Sequence, residues 1–150
     1  MISSELAQRL KDAGLQWRPA ERDFFTMPDH SLEGQIFVVS ALPALVQMLG
    51  GEMTITFHGS IEWALDYVVL SEAVWLPSET QLRGLLARAI GDDAPLRLDR
   101  LQGRYRLQIG VEADLPEFEA VDAEDAYGQA LLYVLEMVGF GGGLQPPGRA

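Results

Sequence analysis

Apolar and polar residues along this chain change their spacing several times, and each change marks an element. Leu6, Ala7, Leu10 and Ala13 recur at helical intervals, with Glu5 and Arg9 four apart on the opposite side. The spacing predicts a first helix over about 3–13, opened by Ser3 or Ser4 and stopped by Gly14. Leu82, Leu85, Leu86, Ala89 and Ile90 form a second buried stripe. Pro77 and Ser78 precede it, and Ser78 with Gln81 has the spacing of a capping box. Tyr127, Ala130, Leu131, Val134 and Val138 form a third stripe, flanked by Tyr133 and Met137. That helix starts at Asp122 and ends at Gly139, and the stripe puts Leu132 on its polar side.

Between the helices the pattern is that of strands. Asp23–Met27 is short and runs into the turn Pro28-Asp29-His30, and Gln35–Ser40 is β-branched and aromatic. Ala41–Gly59 fits a hairpin closed by Gly50-Gly51, because two glycines tolerate the positive φ values of a two-residue turn. This turn pairs Leu49 with Glu52, Met48 with Met53, Val46 with Ile55 and Ala44 with Phe57. Ala44, Val46, Met48, Met53, Ile55 and Phe57 then share one face, a separation that a slipped register would destroy. Gln102-Gly103 closes a second hairpin, pairing Leu98 with Leu107, Leu96 with Ile109 and Asp99 with Arg106. Ala73–Leu76 and Glu117–Val121 read as further strands. Ser60–Val69 fits both periods; Ser60 as a cap favours a short helix there.

The order of elements predicts an α+β fold. It is expected as a single domain over 1–138, with a mostly antiparallel, twisted sheet of about five to seven strands and helices packed on one face. Residues 139–150, rich in Gly and Pro, read as a flexible tail. A chain of 150 residues with 48% apolar content buries roughly 70% of its unfolded surface, enough for a core without staples. The longest apolar stretch, Ile36–Leu49, is interrupted by Ser40, Pro43 and Gln47, and it falls short of the roughly 20 residues of a membrane span. Met1–Glu5 opens directly into the first helix without the basic and apolar regions of a signal peptide, which predicts a cytoplasmic protein.

Charge changes the picture most. Twenty-two acids face eleven bases, a formal charge of −11. Such a chain repels polyanions and attracts a basic partner. The acids concentrate between Glu112 and Asp125, where Glu112, Asp114, Glu117, Glu119, Asp122, Glu124 and Asp125 stand without a base. These seven are the candidate partner surface. Arg97, Arg104 and Arg106 share one predicted sheet face beside Tyr105, but Asp99, Glu117 and Glu119 lie near enough to neutralise them, so nucleic-acid binding is not expected. Leu45, Leu49 and Leu132 each sit on an otherwise polar face and are candidate subunit contacts for a homodimer.

Catalytic equipment is sparse. The absence of cysteine removes disulfides, thiolate chemistry and cysteine-ligated metals. His30 and His58 are the only histidines. His58, Ser60 and Glu62 hold the residue types of a base, a nucleophile and an orienting acid, but adjacency in sequence does not supply the geometry of a triad. Asp122–Asp125 lacks the alternating oxygens and the turn glycine of a calcium loop, and its acids suit a helix start. The glycines at 139–143 follow a helix instead of opening one, so they make no phosphate cradle. No catalytic, cofactor-binding or metal-ligating residue is assigned, and no cofactor is expected.

Three blocks carry a resemblance: Gly59-Ser60-Ile61-Glu62-Trp63-Ala64-Leu65-Asp66, Trp75-Leu76-Pro77-Ser78-Glu79-Thr80-Gln81-Leu82, and Asp122-Ala123-Glu124-Asp125-Ala126-Tyr127 with Ala130-Leu131-Leu132. The chain resembles a family of small, uncharacterised bacterial proteins that some genomes label pilus-assembly proteins. The resemblance implies no mechanism and no catalytic residue.

Three functions are therefore expected in order. The first is a small, non-enzymatic binding or adaptor protein of the cytoplasm with a protein partner. The second is an acidic immunity-type or nucleic-acid-mimic inhibitor of a basic target, acting through the Glu112–Asp125 acids. The third is a hydrolase or ligand-binding enzyme around His58.

Overall fold

A computed structural model describes residues 1–28, 34–39, 44–57, 67–110 and 116–138, with backbone alone at 44–47, 49, 56, 57, 67, 68 and 138. Among the described residues the fold is α+β, with three helices and nine strands. The strands form three antiparallel sheets of three, instead of one larger sheet. The chain divides into two compact units, residues 1–18 with 77–150 and residues 19–76.

The first unit holds all three helices and one sheet. Helix α1 spans Ser4–Asp12. It ends in a Schellman motif, in which Leu15 N–H bonds Leu10 C=O and Gly14 N–H bonds Lys11 C=O, each at 2.9 Å. Gly14 has a φ of 95°, and Leu10 and Leu15 are both buried across the stop. At the other end Ser3 occupies the N-cap without a side-chain cap bond. Its backbone N–H instead donates to Asp125 Oδ1 at 2.7 Å.

Helix α2, Glu79–Ile90, opens on the expected capping box, with Ser78 N–H donating to Gln81 Oε1 and Gln81 N–H to Ser78 Oγ. Helix α3, Ala123–Val138, packs against α1 and α2 and also against the sheet. Leu132 is consequently 4% exposed, where the stripe puts it on a polar side. A helix contacted by two helices and a sheet has little polar side to offer, so one apolar stripe underestimates its buried surface.

The sheet of this unit is ordered β7 (Leu96–Leu101), β8 (Arg104–Ile109), β9 (Glu117–Ala120), with strands numbered along the whole chain. The second hairpin has the expected register, including Leu98 opposite Leu107 and Asp99 opposite Arg106. Alternation points Leu107, Ile109, Phe118 and Ala120 toward the helical side, and the Phe118 and Tyr133 rings approach to 5.6 Å.

The second unit contains only strands among its described residues. One sheet is ordered β2 (Ile36–Val38), β1 (Phe24–Thr26), β6 (Val74–Leu76). The other is ordered β3 (Ala44–Leu49), β4 (Glu52–Phe57), β5 (Tyr67–Val69). The β3–β4 hairpin keeps all four expected pairs, and Gly50 and Gly51 have φ values of 60° and 88°. Tyr67–Val69 is a strand paired with Thr54–Thr56, which corrects the helical reading of that stretch. β5 gains a ladder of cross-strand hydrogen bonds that local spacing does not reveal. Residues 58–66, the rest of that stretch, and the tail at 139–150 lie outside the described residues.

Candidate interaction surface

The polar face of β7–β8–β9 collects Arg97, Asp99, Arg104, Arg106, Gln108, Glu117 and Glu119, because alternate residues of paired strands share a side. Their charges close on one another. Arg106 Nη2 lies 2.6 Å and Nε 2.8 Å from Glu119 Oε1, with Glu117 Oε2 at 3.5 Å from Nε. Arg104 lies 3.9 Å from Glu119, Arg97 lies 2.8 Å from Asp99, and the Gln108 amide donates to Glu117. The hydrogen bond to Glu119 and then the charges of Glu119 and Glu117 hold the Arg106 guanidinium above its ordinary pKa. Three arginines thus meet three carboxylates, and neither sign remains in excess on this face. Arg100, on the other face, lies over the Tyr105 ring at 5.7 Å.

The remaining described acids of the candidate block are divided between partners and solvent. Glu124 Oε1 lies 3.2 Å from the Met1 ammonium, and Asp125 accepts the Ser3 N–H. Asp122 is exposed at the start of α3, where its C=O accepts from Ala126 N–H. Glu112 and Asp114 lie outside the described residues. The block is therefore not a contiguous row of unpaired carboxylates over its described positions, which is what an inhibitor of a basic target requires.

Of the candidate subunit contacts, Leu132 belongs to the core of its own chain. The side chains of Leu45 and Leu49 lie outside the described atoms. His30, His58, Ser60 and Glu62 are likewise outside the described residues. Among the described residues no group of three or more His, Asp or Glu side chains is placed to hold a metal ion, and no helix is long and apolar enough to cross a membrane.

A surface that sequence spacing does not single out lies on the β2–β1–β6 sheet. Register places Phe24, Thr26, Ile36, Val38, Val74 and Leu76 on one side, and Phe25, Phe37 and Trp75 on the other. The second side is closed by Phe25 stacked on Phe37, with ring centroids 5.4 Å apart. The first side is uneven. Thr26, Val74 and Leu76 are buried, whereas Phe24, Ile36 and Val38 are 38%, 53% and 48% exposed. Ile36 and Val38 lie on β2, an edge strand among the described residues, and Phe24 sits beside them on β1, opposite Val38. A strand edge is ordinarily blunted by charge or proline, and β2 carries neither. Ile36–Val39 is a continuous apolar run, so its spacing could not say which side chains face water.

Acidity also falls unevenly between the units. Residues 19–76 contain eight Asp and Glu and one base, Arg22, a formal charge of −7 out of the total −11. Arg22 itself lies 3.7 Å from Glu21.

No family model matches this chain, and no curated protein or solved structure matches it.

Proposed function

We propose that this is a small, non-enzymatic binding or adaptor protein of the cytoplasm that engages a protein partner. The observation that supports this reading is the exposed apolar pair Ile36 and Val38 on the edge strand β2, with Phe24 exposed beside them on β1. Apolar side chains grouped at an unblunted edge mark an interaction site more often than a solvated surface. The charge lattice on β7–β9 supports it indirectly, since its groups satisfy one another and are not left to bind an ion or polyanion.

The reading is tested by affinity capture from native lysate of the source cell, at low and high salt, with reciprocal capture by the retained protein. One partner recovered in both directions is the expected result. A chain that retains no protein but binds or turns over a small molecule contradicts the proposal.

A further inference from the structure

We infer that β2 is a strand-addition site for an extended, basic segment of a partner protein, a conclusion that rests on the binding reading above. The backbone geometry comes first. Val39 N–H donates to Asp23 C=O at 2.8 Å, and Val39 C=O accepts from Arg22 N–H at 2.7 Å. Hydrogen bonding alternates along an antiparallel strand, so Phe37 directs its backbone groups to β1 in the same way as Val39. The N–H and C=O of Ile36 and Val38 then point away from β1, along the outer edge.

The same two residues expose their side chains. An added strand that bonds the Ile36 and Val38 backbone places its own apolar residues beside them, extending the exposed apolar face that Phe24 continues on β1. Backbone pairing supplies the docking and alternate side chains supply the selectivity.

Charge decides the kind of segment. Residues 19–76 carry −7 with a single arginine, so an approaching segment rich in Lys or Arg gains and an acidic one is repelled. A second copy of this chain would bring an equally acidic unit against the first, and a nucleic acid would bring its phosphates. The occupant that fits both the edge and the charge is a stretch of alternating apolar and basic residues.

The probe is a capped, fluorescent decapeptide of alternating Val and Lys, titrated into the full chain with anisotropy as the readout. Binding is expected, weakening as salt rises, with slowed amide exchange at Ile36 and Val38. The double variant Ile36→Ser/Val38→Ser should weaken it by about tenfold or more, and circular dichroism should show the fold unchanged because both residues are exposed. A Val–Glu peptide should not bind. A Val–Lys peptide N-methylated along one backbone edge should lose binding, because it cannot pair. Equal binding of the N-methylated peptide, or of the double variant, overturns the inference by showing attraction through charge alone. No binding of the Val–Lys peptide overturns it as well, as does light scattering that finds a wild-type dimer and a monomeric double variant. If a lysate partner is captured equally by the wild type and the double variant, the β2 site fails and the binding reading stands.

Discussion

Gly128 lies where α3 meets α1. A Cβ at this position would fall 2.8 Å from Leu6 Cδ2 and 3.0 Å from Ile2 Cδ1, both on buried side chains. The glycine gives up helix propensity in exchange for close approach. Gly128→Val should therefore lower stability by about 2 kcal/mol, through overpacking, in a denaturant titration followed by circular dichroism. Tyr127, one residue earlier, is buried, and that burial raises its hydroxyl pKa above the ordinary 10.0, with Glu79 adding to the rise and Arg83 opposing it. Folding thus favours the protonated phenol. Its contribution is complete below the unfolded value and is lost as pH rises through the higher folded one. Melting temperatures between about pH 8 and pH 11 should show an alkaline decline that Tyr127→Phe makes shallower. On the charged sheet face, Arg106→Gln leaves Glu117 and Glu119 without their shared cation. A loss of melting temperature that shrinks as salt is added is the expected outcome.

Elements in this chain were legible where a local device fixes them. Ser78 and Gln81 cap α2 in both directions, and Ser78→Ala should cost about 1 kcal/mol in the same titration. The two hairpins were legible because a two-residue turn dictates register once its position is known. Gln102 and Gly103 have φ values of 52° and 78°, a backbone that glycine accepts and most residues resist. The strand β5 was not legible, since Ile61–Val69 alternates while Ser60 and Glu62 suggest a helix start. Pairing with β4 decides Tyr67–Val69, and that pairing is a nonlocal fact. Leu132 was misplaced for a related reason: a stripe describes one packed face, and α3 has more than one.

For the whole molecule, charge and sheet edges matter more than any single group. The sequence pI is near 4.4, so turbidity scanned from about pH 3 to pH 7 should peak close to that value, where net repulsion vanishes. The candidate site was only half visible beforehand. Acidity and the expectation of a protein partner follow from composition, but attention goes to Glu112–Asp125, the densest acidic run. Folding then pairs Glu117 and Glu119 with Arg106, and Asp125 with the Ser3 backbone.

Sequence alone determined the helices, the turns, the hairpin registers and the net charge, because each follows from contacts within a few residues or from counting. Tertiary structure alone decided which strands stand at edges, which acids find partners and which apolar residues meet water. Ile36 and Val38 are exposed while Val74 and Leu76 are buried on the same side of the same sheet. The four are chemically alike and lie on the two outer strands of that sheet, so neither their chemistry nor their place in the sheet separates them, only what packs over each strand.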